Sequence, residues 1–354
     1  MKFLRLAFYV LIAQLVLSGC AGEGVEETSS SSSSEINFDA YLGRNASTRA
    51  GETNIASLKG SGFGVFARYK HTDGATSLLM DNEHVTWNGD HWGYTNTRYW
   101  PNEGSVDFYA FAPYLENVNK LVYAPDSTKG NPTCIEFISS NSNVDLVWDV
   151  QKNKTVPTSS TESKVKFVFK HALARLGFDI TANQELEEHG AVIIVKKVKL
   201  YGETENNGAF DIKGYLNLEN GGWSRHKQNT RVVYTWTPTG AEDGTFKLSA
   251  SQLDHTCKKI ENAPNSYLCI IPQDKWNAFY LQITYTVQQG DFFQEEEKVA
   301  VSKNLLDVLR PGVSKPSFTF ERGKAYVFHL KLSLDPINFN VTTKVEDWKE
   351  GKNE

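Results

Sequence analysis

The sequence is poor in cysteine, has no excess of basic residues, and contains none of the short motifs that mark common catalytic or metal sites. Three of its four cysteines follow residue 20, namely Cys134, Cys257 and Cys269, and this odd number excludes a complete disulfide framework. Either Cys257 pairs with Cys269 or, as we favour, all three are small buried thiols. The net charge of −5 argues against nucleic acid as a partner.

The motifs of common enzymes are also missing. No H-E-x-x-H, C-x-x-C or G-x-S-x-G sequence occurs in the chain, and His84 and His91 are too far apart along it to indicate a metal site. The glycines of residues 60–64 lack the lysine of a phosphate-binding loop, so we interpret them as a turn before a strand. Asp145 and Asp149 share one face of a strand, but such pairs are too common to indicate a glycosidase. We expect no enzyme, no metal site and no cofactor.

Two aromatic groups have both a structural and a functional interpretation. His171 lies in an apolar run, where a hydrogen-bonded core histidine is more common than a general base. Trp87, Trp92 and Trp100 would form a sugar-stacking platform if they were exposed. In all-β proteins, however, such tryptophans more often plug the core or the edge of a sandwich.

The N-terminus carries a short apolar run. Lys2 and Arg5 precede the run, which covers residues 7–17 and is shorter than the roughly 20 residues of a membrane-spanning helix. Residues 1–19 therefore have the features of a signal peptide, and the Leu-Ser-Gly-Cys sequence at its end has the form of a lipobox. We predict acyl chains on Cys20, which would anchor the protein because each buried methylene contributes about 0.8 kcal/mol.

Residues 20–35 are acidic and rich in serine, and no basic residue occurs between Cys20 and Arg44. Because this segment has too little apolar surface to fold, we predict a flexible tether. It also resembles the acidic stretch that marks surface export in Bacteroidetes lipoproteins. That resemblance implies a lipoprotein of the outer membrane, exposed at the cell surface.

Most of the remaining sequence is typical of β-strands. Segments rich in β-branched and aromatic residues alternate with turn residues, whereas a helical pattern is confined to residues 183–190. This predicts an all-β protein built of sandwiches. The polar stretch 151–163 indicates a domain boundary near residue 160, with domains at 36–160 and 161–354. The predicted strands are residues 63–70, 106–114, 145–150, 164–171, 191–202, 231–238, 279–290 and 325–334.

The first strand is followed at once by a stretch that looks like a protease site. Residues 36–42 alternate between apolar and polar side chains, as in a half-buried strand. The small, polar stretch after them contains two arginines. The inward-facing residues of the strand are Ile36, Phe38, Ala40 and Leu42.

Four segments between residues 99 and 348 resemble, in family order, the fimbrillins of Bacteroidetes. They are Y-W-P with V-D-F-Y-A-F-A-P-Y (99–114), F-V-F-K-H-A-L-A-R-L (167–176), I-P-Q (271–273), and the last strands closing in V-E-D-W (326–348). The resemblance implies two tandem transthyretin-like β-sandwich domains in a lipoprotein that polymerises into fimbriae or lies at their tips or anchors. In that family, an arginine-specific protease releases the first strand, and a terminal strand of a neighbour fills the groove. The resemblance implies cleavage between Arg49 and Ala50 in this chain, with Arg44 as the alternative, because Ala50 and Gly51 offer small residues after the cut. The strand with Ile36, Phe38, Ala40 and Leu42 on one face is then the candidate displaced strand.

The C-terminus contains a candidate for such a donor strand. I-N-F-N-V at residues 337–341 repeats the pattern of I-N-F-D-A at residues 36–40. Alternatively, this run simply completes its own domain. The proposed donor residues are Ile337, Phe339 and Val341.

The sequence therefore predicts a structural and adhesive fimbrial subunit, without distinguishing stalk, tip and anchor. The expected partners are other fimbrial subunits bound by strand complementation, the outer membrane through the lipid anchor, and a host or bacterial surface receptor. The alternative is a surface glycan-binding lipoprotein that uses the three tryptophans.

Overall fold

The computed structural model describes residues 34–42, 55–116, 133–139, 144–158, 164–182, 191–225, 231–236, 246–248, 268–289, 292–332 and 340–347. Within them the chain forms two short helices, α1 (Ile55–Ser61) and α2 (Leu305–Leu309), and is otherwise built of strands. The strands are β1 (Asn37–Leu42), β2 (Phe63–Lys70), β3 (Thr76–Trp87), β4 (Trp92–Gly93), β5 (Ser105–Ala112), β6 (Cys134–Ile138), β7 (Val147–Lys154), β8 (Lys164–His171), β9 (Ala174–Ala182), β10 (Ala191–Tyr201), β11 (Phe210–Asp211), β12 (Lys213–Asn217), β13 (Trp223–Arg225), β14 (Arg231–Val232), β15 (Tyr234–Trp236), β16 (Phe246–Leu248), β17 (Leu268–Ile270), β18 (Gln273–Lys275), β19 (Tyr280–Gln289), β20 (Phe292–Val301), β21 (Phe318–Phe320), β22 (Lys324–Leu332) and β23 (Asn340–Asp347).

The largest sheet has seven strands in the order β1-β8-β7-β5-β2-β3-β4. β8 shows why its sequence forms a strand: Val165, Phe167 and Phe169 are buried, and the residues between them are exposed. Period-two burial of this kind requires an extended backbone with one face on a core. β1 is parallel to β8, and the other pairs in this sheet are antiparallel.

The C-terminal half contains two larger sheets. One has the order β15-β10-β19-β20, with β16 also paired to β10, and the other has the order β17-β9-β22-β23. The side chains of these sheets share a core that includes Ile283, Phe279 and Phe328. Smaller sheets complete the described part, in the orders β13-β12-β6, β11-β14 and β18-β21. The prediction of an all-β protein is confirmed.

Residues from both halves of the chain meet in a further cluster, which we call the shared core. It combines Phe66 and Phe111 of the seven-stranded sheet with Leu216, Leu218 and Ile271 of the C-terminal half. β6 contributes Ile135 and Phe137 to this cluster and pairs with β12, so backbone hydrogen bonds also join the two halves. The predicted domain boundary near residue 160 falls between β7 and β8, which are neighbours in one sheet. The division into two domains stays a prediction.

One local prediction differs from the structure, and another concerns residues that the structure does not describe. The glycine-rich stretch 60–64 is the end of α1 joined to β2, where a turn alone was expected. Gly62 makes the join with φ of +68°, and a Cβ there would come within 2.5 Å of the Val85 carbonyl oxygen. The helical pattern at residues 183–190 lies outside the described residues.

Candidate functional site

The candidate functional site is β1, which is an edge strand of the seven-stranded sheet. It pairs only with β8 in that sheet, in a parallel register that runs from Asn37 opposite Lys164 to Leu42 opposite Phe169. A single strand at an edge can leave without opening the rest of the sheet, and its departure exposes a row of unpaired backbone groups. The predicted first strand, residues 36–42, forms β1 from Asn37 onward and lies at the edge of its sheet.

The inward face of β1 is part of the core. Ile36, Phe38 and Ala40 have exposed fractions of 1%, 1% and 3%, and Leu42 packs against the same cluster. Burial of a residue such as Ile36 or Phe38 contributes about 1.5–3 kcal/mol each. All four residues predicted to face inward thus do so.

Phe38 occupies an aromatic site that we call the Phe38 box. Its ring centroid lies 5.5 Å from that of Tyr94, 5.8 Å from Phe167, 5.9 Å from Phe108 and 6.3 Å from Phe63. The rings of Phe63 and Phe108 meet Phe38 edge-on, and that of Phe167 is stacked, which are the favourable arrangements of aromatic pairs. The site is therefore one that a large apolar side chain fills.

The start of β1 is held by a second set of contacts, from the segment between β4 and β5. The backbone N–H of Ile36 donates to the carbonyl of Arg98 at 2.8 Å, and that of Trp100 donates to Ser34 at 2.9 Å. The Tyr94 hydroxyl donates to the Ile36 carbonyl at 2.7 Å and accepts from the Arg98 N–H at 3.2 Å. Burial is the main cause that raises the pKa of Tyr94 above 10.0, so the hydroxyl keeps its proton.

The sequence did not indicate this clamp of residues 94–100 on β1. Tyr94 stands in a polar stretch without periodicity, and its role depends on a residue 58 positions earlier in the chain. The only available signal was the presence of aromatic residues in a stretch otherwise rich in asparagine and threonine. Contacts of this separation follow from the tertiary fold.

The opposite face of β1 is polar. Tyr41 is 48% exposed, and its hydroxyl donates to the Asp39 carboxylate at 2.6 Å, which raises the pKa of Tyr41. This alternation agrees with the half-buried strand predicted from the sequence. The remaining predicted processing residues, Cys20, Arg44, Arg49 and Ala50, lie outside the described residues.

The candidate donor strand is described only at its end. Val341 belongs to β23, where its backbone is opposite Leu330 of β22, whereas Ile337 and Phe339 lie outside the described residues. β23 is the edge strand of its sheet. The donor assignment stays a prediction.

The titratable groups singled out from the sequence have structural partners. His171 is buried, and its Nδ1 lies 3.0 Å from a carboxylate oxygen of Asp145, as expected for a core histidine. Asp149 accepts from the backbone N–H of Val168 at 2.9 Å. The His84 ring stacks on Tyr114 at 3.7 Å. Among the described residues, no group of three or more potential ligands is arranged to hold a metal ion.

The tryptophan platform of the alternative function is not formed by the residues proposed for it. Trp92 and Trp100 are 4% and 3% exposed and belong to the core under the seven-stranded sheet. Trp87 packs against Trp92 at 5.3 Å, and Lys59 lies over its ring. The three residues have no common exposed face, because Trp92 and Trp100 are buried in the core and Trp87 packs against it. Trp276, which the sequence did not single out, is 61% exposed.

Comparison with known proteins identifies similar chains. A family model described as fimbrillin-like matches residues 48–348. The fimbrium subunit Fim1C of Phocaeicola vulgatus is 24% identical over 371 residues, which cover 96% of either chain. A fimbrial protein from Bacteroides vulgatus has a solved structure with a TM-score of 0.61, 22% identity, and coverage of 89% of this chain and 99% of that one. This structural likeness concerns the fold. Neither helix in the described part is long and apolar enough to cross a membrane.

Proposed function

Because the chain belongs to the fimbrillin-like family, we propose that it is a structural subunit of cell-surface fimbriae that is assembled by exchange of its first strand. The observation that carries the proposal is the position of β1, an edge strand that fills a core groove and pairs with one neighbour. A structural role also agrees with the buried, paired state of the carboxylates and histidine that were candidates for chemistry.

Export as a lipoprotein is the first step of this proposal. Signal peptidase would cleave before Cys20, and acyl chains on its thiol would hold the subunit at the outer membrane. The serine-rich residues 21–35 then form a tether between the membrane and β1. Replacing Cys20 with Ser should release a soluble protein and abolish incorporation of labelled fatty acid. Undiminished label in Cys20→Ser would contradict the lipid anchor.

Cleavage in the stretch between β1 and α1 is the second step. While the chain is intact, β1 stays in its groove because a tethered strand has a high effective concentration there. A cut after Arg49 turns β1 into a separate peptide that can dissociate. The apolar groove and the unpaired edge of β8 are then available to a strand of another subunit.

The third step is donation of a strand from the C-terminus. Residues 337–341 carry Ile, Phe and Val at alternate positions, the same spacing as that of Ile36, Phe38 and Ala40 in the groove. Phe339 would enter the Phe38 box. A variant that ends after Asp335 should accept a donor strand but should not be one, and so should stop a growing fimbria.

Substitution of Arg49 tests the mechanism. We expect Arg49→Ala to remain a folded monomer after treatment with an arginine-specific protease, whereas wild type forms ladders on gels and filaments in electron micrographs. Arg44→Ala is the matched control and should assemble as wild type does, with Ala50 as its N-terminal residue. If Arg49→Ala assembles with its N-terminus still at Cys20, exchange by cleavage is wrong for this protein. The reverse behaviour of the two variants would move the cut to Arg44.

A further inference from the structure

β8, the neighbour of β1, is joined to β7 over only part of its length. The two strands pair at two positions, Val147 opposite His171 and Trp148 opposite Lys170. β7 itself continues in the sheet to Lys154, because its other side stays paired with β5. The ladder between β7 and β8 therefore ends before residues 164–169 of β8 are reached.

A side chain takes the place of the ladder at the point where it ends. In a continued antiparallel register, Val150 of β7 would lie opposite Val168 of β8. Instead, the backbone N–H of Val168 donates to the Asp149 carboxylate at 2.9 Å. The same carboxylate oxygen accepts from the Gln151 amide at 2.9 Å, and Asp149 is 4% exposed. Because a buried carboxylate is costly to leave unpaired, Asp149 fixes β8 at Val168.

The first part of β8, residues 164–167, has β1 as its only partner among the described strands. Its residues lie opposite residues 37–40 in a parallel register. The N–H groups of a strand alternate in direction, and that of Val168 points to β7, so those of Val165 and Phe167 point to β1. A ladder of two strands without a third is marginally stable in water. This part of β8 therefore has little backbone support of its own.

The N–H groups by which β1 binds β8 follow from the same alternation. The Ile36 N–H donates to the Arg98 carbonyl, away from β8. The Ala40 N–H, which has the same direction, donates to the Asp39 side chain at 3.0 Å. The N–H groups of Asp39 and Tyr41 therefore face β8. We call the N–H groups on both strands that face each other the ladder amides, which are those of Asp39, Tyr41, Val165 and Phe167.

Side-chain packing links the same two segments. The ring of Phe167 is fully buried and stacks on that of Phe38, with the centroids 5.8 Å apart. Val165 and Phe167 belong to the same core cluster as the inward face of β1. On its other contacts, Phe167 meets Phe63 of β2 edge-on at 5.8 Å. Departure of β1 therefore removes the stacked partner of Phe167 together with the only ladder of residues 164–167.

We propose that β1 and residues 164–167 of β8 are one cooperative unit, so that this part of β8 forms a strand only while β1, or another strand in its position, lies beside it. Asp149 marks the limit of the unit, because β8 from Val168 onward is also held by β7. The unit is a property of the intact chain, whether or not β1 is exchanged. If β1 is exchanged as proposed above, the incoming strand completes its own acceptor. A subunit with an empty groove then presents no long, regular edge to unrelated chains.

Native-state hydrogen exchange of the intact, uncleaved chain, measured residue by residue, tests the proposal. The ladder amides should have protection factors within about threefold of one another and should respond alike to low concentrations of urea. The Ala110 amide of β5, a strand paired on both sides, should be protected at least about tenfold more strongly, because opening of the unit leaves β5 folded.

The limit of the unit is tested at Asp149. Asp149→Ala removes the acceptor of the Val168 N–H, so Val168 should join the unit and exchange at least about tenfold faster. Asp149→Asn is the matched control, because it keeps a side-chain oxygen, and its Val168 amide should stay within about threefold of wild type. Equal exchange of Val168 in the two variants would contradict the role assigned to Asp149.

Two truncations of buried side chains separate the unit from the rest of the sheet. Ile36→Val in β1 should speed exchange of all ladder amides by the same factor, about fivefold. Val106→Ala in β5 should speed exchange of Ala110 and leave the ladder amides within about twofold of wild type. Neither measurement involves cleavage, so the result is independent of strand exchange.

Three results would overturn the proposal. In the first, Ile36→Val speeds exchange in β1 but not at Val165 and Phe167, so that β1 opens alone. In the second, Val165 and Phe167 are as strongly protected as Ala110. In the third, Val106→Ala speeds the ladder amides as much as Ala110, so that the whole sheet opens at once.

Discussion

β1 and β23 are both edge strands, yet they are attached in different ways. β1 places Ile36, Phe38 and Ala40 in the core and is also held by the clamp of residues 94–100. The side chains of β23 that the structure describes are exposed or half-buried, and Val345 is 49% exposed. The described contacts of β23 are its backbone pairing with β22, a contact with α2, and the exposed ion pair between Lys324 and Asp347. Exposed ion pairs contribute little.

The two strands differ in how much core surface is uncovered when each is removed from its sheet. Removal of β1 uncovers core surface, so an intact chain keeps it in place. Removal of β23, by contrast, withdraws no fully buried side chain among those that the structure describes. Under the proposed strand exchange, the first strand would need a cut before it could leave, whereas the last strand would not. The predictions below test this contrast, in order of decreasing effect.

Phe38→Ala should have the largest effect. Because Phe38 fills an aromatic box, we expect a loss of about 3–5 kcal/mol in the free energy of unfolding, measured with urea and circular dichroism. Tyr41→Ala on the outward face of the same strand is the control and should cost about 0.5 kcal/mol. Equal losses for the two variants would mean that β1 is not held by its inward face.

Tyr94→Phe should have an intermediate effect. It keeps the ring of the Phe38 box but removes the hydroxyl that donates to the Ile36 carbonyl. We expect a loss of about 1 kcal/mol in the free energy of unfolding and faster hydrogen exchange of the Ile36 and Trp100 amides. Faster exchange elsewhere in the sheet, with those two amides unchanged, would argue against the clamp.

Val345→Ala in β23 should have a smaller effect, of about 0.5 kcal/mol or less. The side chain is exposed, so its truncation removes little buried surface. The same urea titration that measures Phe38→Ala provides the comparison. A loss as large as that of Phe38→Ala would show that β23 is anchored by its side chains, and would remove the contrast between the two edges.

The smallest expected effect is the change with pH in the stability that the Tyr94 hydroxyl contributes. Burial raises the folded-state pKa of Tyr94 above 10.0, so the fold favours the protonated hydroxyl. The resulting stabilisation is complete below the unfolded pKa of about 10 and is lost as the pH rises through the folded pKa. The difference in stability between wild type and Tyr94→Phe should therefore shrink from pH 8 to pH 11. A difference that grows over this range would contradict the hydrogen bond to Ile36.

Local patterns in the sequence predicted the bounds of a strand correctly where that strand is regular. β2 and β8 begin and end at the predicted residues, since their β-branched and aromatic residues fit a pleated surface. β3 was not predicted, because polar residues interrupt its centre and Asn82 adopts a φ of 52° at an irregular register. β20 was not predicted either, since three consecutive glutamates conceal its period.

The sequence predicted which side chains of β1 are buried, but not which parts of the chain β1 contacts. Alternation along residues 36–42 predicts which side chains of β1 face inward, because burial has the same period as the backbone. The parallel pairing with β8 and the clamp by Tyr94 and Arg98 join segments distant in the chain, and no local pattern encodes such pairs. The exposure of Trp276 was not predicted either. Burial is predicted from a repeating pattern of apolar residues, and a single tryptophan forms no such pattern.

The shared core has a mechanical consequence. A fimbria attached at one end and pulled at the other transmits tension through each of its subunits. In this chain, Phe66 and Phe111 of one half pack against Leu216 and Ile271 of the other. In the same region, β6 is hydrogen-bonded to β12 as an antiparallel pair. Stretching one half therefore strains the packing of the other. Pulled in an optical trap, a subunit of this kind should rupture in one event, and the fibre should resist flow as a chain of stiff links.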